Sequence, residues 1–566
     1  MKALKTLLSL LTVCALLFAA VPGNAKTAAE SGRGLHSAVA IDDDPEGGYT
    51  GDYVVICNPS ENVYDGLSTG SLAGRINTQV EGSSSVIPVL DETRKVLIDV
   101  DGELMEETRR IYGKKELVHN PVKADYPVGS TKDFYIGYRN PDGSAGDITF
   151  KVLYVGANCR IWTPVGTGSN GNYYPLDGID ESYAKSAADA FDSKFDLMIE
   201  SYGGFFDMND DGKINLMFYN VEDGWSPSTG GGYVGGYFSA NDFYNANKLP
   251  MIHIDTYPGV FNGETSSITD CYSTTVHEFQ HLINFSNTYG WMATWLNESL
   301  SGSAEELCFP GDALVLRIVS WHNYYYISRS RTEYEYSPSV DLHTGASLTD
   351  WSGSLAQYGE VLLFSQYLYT RFGSTEIFKK IIQNGYNTSD QYSFEALKAA
   401  TGLSMDTLWR DFFTSMIANC REYNLGFNLN EGYTPEGHYD LEDPYSLLCP
   451  VVYTGSGPVI IYGGGFITVK TLDGVFVPPE NADPNLKYIG VDLDPENPPP
   501  PPPAGLLGDA DGNGAVEAAD ALLILRYSMG IIGDEGIHLE NCDYDGSGRI
   551  DATDALLVLR KSMGII

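Results

Sequence analysis

Positive charge is scarce in this 566-residue chain: 35 Lys and Arg stand against 75 Asp and Glu, a formal net charge of −40. A field of that sign repels phosphate backbones and anionic lipid, so neither nucleic acid nor a membrane is an expected partner. Long apolar runs are scarce too. The run Leu7–Ala20 holds about 14 residues, short of the ~20 that span a bilayer. Lys2 and Lys5 precede it and Val21-Pro22-Gly23-Asn24-Ala25 follows, the layout of an export signal cleaved after Ala25. Cys14 sits inside the run rather than at its end, which argues against a lipid-modified cysteine. The other seven cysteines, at 57, 159, 271, 308, 420, 449 and 542, are scattered and odd in number. With no Cys-x-x-Cys spacing they indicate neither a thiolate zinc site nor a disulfide framework, and buried free thiols are expected.

The chain is too long for one core, and 43% apolar residues with 38 tyrosines fit globular, partly β-rich domains. The expected fold is multidomain α+β. Residues 1–25 are the signal and 26–165 a leader with an N-terminal sandwich-like β domain. A catalytic α/β domain with a helical C-terminal lobe covers 166–425, and 426–497 form a small β module. A proline linker (498–504) and an α module with two calcium loops (505–566) complete the chain. The strand readings rest on apolar runs such as Phe134–Tyr138, Ile148–Val155 and Cys159–Trp162, with the turn Asn140-Pro141-Asp142-Gly143 between the first two. From Tyr183 to Tyr202, Ala184, Ala188, Phe191, Phe195, Met198 and Ile199 recur at helical steps.

The chemistry concentrates at His277-Glu278-Phe279-Gln280-His281. Two histidines four apart on a helix sit one turn above each other, so both imidazoles reach one metal ion, and Glu278 falls beside its water. Asp270 is the expected N-cap, and Asn287-Thr288-Tyr289-Gly290 the stop. A catalytic zinc takes three protein ligands and keeps one position open. The slots three and six residues past His281 hold Asn284 and Asn287, which excludes a histidine there. Glu298, in Trp295-Leu296-Asn297-Glu298, lies 17 residues past His281, room for a turn and a return helix. Glu305, seven residues on, shares its face, so Glu298 is the expected third ligand and Glu305 the acid orienting a histidine; the reverse assignment stays open. Asp207, Asn209 and Asp211 match the first half of a calcium loop, but Phe218 stands where its bidentate acid belongs, and a tight Asp/Gly turn is the alternative.

His-Glu-Phe-Gln-His followed by Trp-Leu-Asn-Glu resembles the gluzincin peptidases, whose third zinc ligand is that glutamate. Over about residues 150–425 the pattern is closer to the secreted hyicolysin-type neutral metallopeptidases. The resemblance implies hydrolysis of protein or peptide substrates by a zinc-activated water, with Glu278 as general base. It also implies Tyr358, which opens an apolar helix 60 residues past Glu298, as oxyanion donor; one more core tyrosine is the alternative. His322 and His343 are weaker candidates. Gly302 stands where thermolysin-like enzymes carry a histidine-orienting aspartate, and the Gly-x-Met-Glu-Asn stretch of aminopeptidases is missing upstream, which favours an endopeptidase.

Six prolines, Pro498–Pro503, make a stiff spacer of roughly 19 Å. Beyond it a repeat recurs at an offset of 34 residues. Asp509, Asp511, Asn513, Glu517 and Asp520 match Asp543, Asp545, Ser547, Asp551 and Asp554 at loop positions 1, 3, 5, 9 and 12, with Ala515 and Arg549 offering position-7 carbonyls to Ca2+. Each loop runs into a near-identical helix. The pair resembles a type I-like dockerin. That resemblance implies two Ca2+ ions, docking onto a cohesin of a scaffoldin through Ala518, Ala519, Ala552 and Thr553, and an extracellular multi-enzyme complex. A calcium sensor, a non-catalytic subunit with a peptidase-like fold and a mucin-directed glycoprotease are the competing readings.

Overall fold

The computed structural model describes residues 40–42, 47–78, 96–97, 101–113, 115–119, 126–137, 146–165, 178–225, 232–245, 247–261, 266–310, 345–351, 355–385, 391–418, 420, 424–427, 452–453, 455–493, 508–510, 516–533, 537–542, 544 and 550–562. The export signal, the proline spacer, His322 and His343 lie outside them. Among the described residues, no helix is long and apolar enough to cross a membrane.

In chain order the strands are β1 (Ala40–Asp42), β2 (Tyr49–Thr50), β3 (Tyr53–Asn58), β4 (Leu67–Ser68), β5 (Val96–Leu97), β6 (Thr131–Ile136), β7 (Gly146–Val155), β8 (Cys159–Pro164) and β9 (Ile214–Tyr219). They continue as β10 (Gly232–Tyr233), β11 (Gly236–Tyr237), β12 (Met251–Asp255), β13 (Ile460–Ile461), β14 (Gly465–Lys470), β15 (Val475–Phe476) and β16 (Lys487–Asp492). The helices are α1 (Asp101–Tyr112), α2 (Glu181–Tyr202), α3 (Tyr272–Thr288), α4 (Thr294–Cys308), α5 (Leu355–Phe372), α6 (Glu376–Gly385), α7 (Phe394–Thr401), α8 (Met405–Ala418), α9 (Ala518–Ser528) and α10 (Ala552–Ser562).

A six-stranded sheet in the order β11-β12-β9-β8-β7-β6 underlies the region expected to be catalytic. Strands β8, β9 and β12 are parallel, while β11 at one edge and β7 and β6 at the other run antiparallel to their neighbours. Parallel pairing buries both faces. Accordingly β9 and β12 are buried at every position. Helices α2 and α3 share one core with the Ile214, Leu216, Phe218 side of β9, through Phe191 and Phe279, whose rings lie 5.1 Å apart. On the other side Phe134, Phe150, Trp162, Tyr219 and Tyr237 form a second core.

This sheet corrects the expected domain plan. The strand runs at 134–162 were placed in a separate N-terminal β domain, but β6–β8 are half of the catalytic sheet, because β8 pairs in parallel with β9. The strands β1–β4 of that domain and β13–β16 of the expected module at 426–497 form one unit, whereas β5 pairs with β10. Strand β3 is flanked by β14 and β16, and β1 adds to β16. Val54 and Ile56 of β3 fill this unit's own core. Val55 and Cys57, on the opposite face, join the catalytic core. Phe466 stacks on Phe413 of α8 at 4.4 Å and seats the unit there. Chain ends some 400 residues apart thus close on each other, a pairing that local alternation cannot foretell. The six described cysteines are all buried, and no disulfide joins any two of them.

In the tail, α9 and α10 pack together around Ala521, Ile524, Ala555 and Val558, the same two positions of each repeat.

Candidate metal centre

Helix α3 starts one residue later than expected. Thr269–Cys271 form a 3₁₀ turn, and Cys271 precedes α3 with no side-chain cap, so Asp270 is not the N-cap. The stop is where it was expected: Tyr289 (φ 54°) and Gly290 (φ 74°) turn left-handed, and Tyr289 N–H bonds the Phe285 carbonyl. A short turn then returns the chain as α4 against α3. Asn284 of α3 donates its Nδ2 to Oδ1 of Asn297 of α4. That tie was missed in the sequence, where Asn284 registered only as a non-ligand; the asparagine beside Glu298 was the available signal.

Between the two helices His277 Nε2 and His281 Nε2 lie 3.1 Å apart, and Glu298 Oε2 is 3.5 and 3.6 Å from them. Their ligand atoms all fall within 4.8 Å, the one such group of His, Cys, Asp and Glu among the described residues. All three side chains are buried. Glu298 Oε1 is buried without a hydrogen-bond partner, although Ser301 Oγ donates to Oε2 at 3.4 Å. A buried carboxylate facing two imidazole nitrogens, with one oxygen unsatisfied, is the donor set a divalent cation completes. Burial alone would lower the His281 pKa, but the charge and hydrogen bond of Glu298, with Glu278 adding to them, outweigh it and hold it above the ordinary imidazole value. The pocket therefore favours positive charge at this point.

His277 Nδ1 donates to Glu305 Oε1 at 2.6 Å. Of the two candidate carboxylates on α4, Glu298 meets the Nε2 atoms and Glu305 the far nitrogen of His277. Seven residues are two helical turns, which puts both acids on one face. Gly302, between them, faces the Leu362 side chain of α5 instead of a histidine. Glu278 is buried on α3, six residues past its first residue, Tyr272. Strand β11 passes directly over it: a Cβ on Gly236 would lie 3.3 Å from Glu278 Cγ.

Tyr358 lies on α5, buried, its ring edge-on to Trp351 at 4.9 Å. Helix α5 packs on α4, where Ser299 Oγ donates to the Val361 carbonyl at 2.7 Å. At the Asp207 loop, the Asp207 carboxylate accepts the N–H groups of Asp211 and Gly212, and Asp211 Oδ2 accepts Asn209 Nδ2 at 2.6 Å. Asp211 also forms a buried pair with Arg160 at 2.5 Å. The Asp/Gly turn accounts for these contacts, and the Arg160 guanidinium places a positive charge at Asp211.

In the tail, Asp520 and Asp554 are both fully buried, although each precedes an exposed leucine. Asp520 accepts the N–H groups of Ala510 and Glu517, at 2.9 and 2.7 Å, and Asp554 that of Asp551 at 2.8 Å. Asp509 is buried, while Glu517 and Asp551 are exposed. Ala518, Ala519, Ala552 and Thr553 are exposed at the helix starts. Asp511, Asn513, Ala515, Asp543, Asp545, Ser547 and Arg549 lie outside the described residues.

Comparison with known proteins agrees with both regions. Residues 507–561 match the dockerin type I domain. The chain is 30% identical to the neutral metalloprotease ShpI of Staphylococcus hyicus over 258 residues, 42% of this chain and 52% of that protein. It therefore spans about half the length of this relative.

Proposed function

We propose that the chain is a secreted, zinc-dependent endopeptidase of the gluzincin type, held on a scaffoldin through its dockerin. The observation that carries this reading is the convergence of His277 Nε2, His281 Nε2 and Glu298 Oε2 within 4.8 Å. Two imidazoles and a carboxylate are a zinc donor set that leaves a position open. A zinc ion held there supplies Lewis-acid polarisation of the peptide carbonyl and acidifies water.

The protein's own residues do the rest. Glu278, on the same helical turn as His277, accepts the proton of the attacking water and returns it to the leaving amine. Glu305 takes the Nδ1–H of His277, which fixes the tautomer and leaves the Nε2 lone pair facing the ion. Tyr358 donates to the oxyanion that forms at the carbonyl oxygen. Asn284 and Asn297 keep α3 and α4 in register, so the ligands from the two helices stay aligned. The dockerin holds two Ca2+ ions and offers Ala518, Ala519, Ala552 and Thr553 to a cohesin, outside the cell.

Zinc content and casein cleavage, measured for the wild type and Glu278→Ala, test the catalytic half. One zinc per chain with casein hydrolysed by the wild type alone is expected. Zinc bound without hydrolysis of any of several unfolded substrates would remove the peptidase reading.

A further inference from the structure

Behind the sheet, on the face away from α3, a hydrogen-bonded chain of buried side chains stands apart from the metal centre. The Tyr237 hydroxyl bonds that of Tyr219 at 2.6 Å, and Tyr219 meets His253 Nδ1 at 3.2 Å. His253 Nε2 is 2.8 Å from Asp242 Oδ2. Asp242 Oδ1 accepts Asn247 Nδ2 at 2.7 Å, and Asn247 bonds both the N–H and the carbonyl of Tyr135 in β6. The Tyr237 ring lies flat on the His253 imidazole, centroids 4.3 Å apart and planes within 4°. The chain thus runs from edge strand β11 to the strand at the opposite edge of the sheet.

Along β11, neighbouring residues point to opposite faces. Tyr237 enters this chain, and Gly236 faces α3. A methyl at 236 would sit 2.8 Å from both Thr274 Cγ2 and the His253 carbonyl oxygen, and 3.3 Å from Glu278 Cγ. The depth at which Tyr237 is held therefore sets how closely the β11 backbone backs the stem of Glu278.

We infer that Tyr237, braced by Tyr219, His253 and Asp242, is a positioning residue that holds edge strand β11 against Glu278 and so fixes the direction of the general base. This rests on the peptidase reading for its catalytic consequence, but not for the brace itself. Displacing a reacting group by a fraction of an ångström slows chemistry without weakening binding.

The test compares Tyr237→Phe, Asp242→Asn and Gly236→Ala in the full chain. Hydrogen exchange of the zinc-free protein reads the brace alone. Tyr237→Phe and Asp242→Asn should speed exchange of amides 234–238 and 274–280 by roughly threefold or more, with the amides of α8 unchanged. Steady-state kinetics read the consequence. All three variants should keep wild-type zinc content and KM while kcat falls, by roughly fivefold for Tyr237→Phe and more for Gly236→Ala. Unchanged exchange at 234–238 in both brace variants would overturn the inference. So would exchange that rises throughout the sheet in step with a lower Tm, or a rise in KM at constant kcat. A wild type that fails to cleave peptide while the exchange result holds would instead sink the peptidase reading and leave the brace standing.

Discussion

The two metal-binding regions of this chain are built on opposite plans. In the tail, each expected calcium loop draws its ligands from 12 consecutive residues and is written twice at an offset of 34. In the proposed catalytic region the candidate ligand set is assembled from two helices, α3 and α4, which a left-handed turn folds back on each other, a shared apolar core packs together and the Asn284–Asn297 hydrogen bond ties. A local site is specified by spacing, whereas a site between elements also needs the packing that brings them together. The proposed zinc centre should therefore fail when its supports are altered, and the proposed calcium loops of the tail only when their ions are removed.

Glu278→Ala gives the largest expected effect. Loss of a general base should lower kcat by about 10²–10⁴-fold with zinc still bound, read by metal analysis beside casein cleavage. Next comes the tail. A calcium-selective chelator that spares zinc should abolish cohesin capture by the full chain while hydrolysis per molecule continues; capture surviving excess chelator breaks the comparison. Tyr358→Phe should lower kcat, by up to about 10²-fold, with KM little changed; an unaltered kcat returns Tyr358 to the core. Glu305→Gln keeps the shape but weakens the acceptor for His277 Nδ1, and should weaken zinc affinity by about 10- to 100-fold in a competition titration. The ligands themselves stay intact in that variant, so the result separates support from ligation.

The smallest effect concerns Asp255, at the end of β12, which accepts the N–H groups of Val221 and Gly259. Burial pushes its carboxyl up to about 7, against the lowering effect of those hydrogen bonds. With the folded value above the ordinary one near ~4, its contribution is present in full below about pH 4 and is lost as pH rises towards 7, at up to about 1.4 kcal/mol per unit. Relative to Asp255→Asn, the wild type should lose stability over that window in denaturant titrations; parallel curves for the two would refute it.

Much of the site was legible because its residues obey short-range geometry. His277 and His281 are one turn apart, and Glu298 and Glu305 two turns apart, so facing directions followed from helical periodicity alone. The strands β6, β7 and β8 were legible as strands for the same reason. Their membership was not: alternation in Phe134–Ile136 or Ile148–Val155 records which side is buried, not which strand lies alongside. The loop at Asp207 shows the converse limit. Oxygen side chains at calcium spacing are also the residues that close an Asp/Gly turn, and the arrival of Arg160 from β8 is a contact that no local spacing announces.

The sequence by itself determined which residues are the candidate ligands and base and where the loops repeat, since each is a matter of residue type at a fixed local spacing. Tertiary structure decided the rest. It closed β3 between β14 and β16, chose which carboxylate of α4 faces the centre, and laid Gly236 of β11 against Glu278. Those outcomes depend on contacts between segments far apart in the chain, whose free energy is set by mutual packing and not by either segment alone.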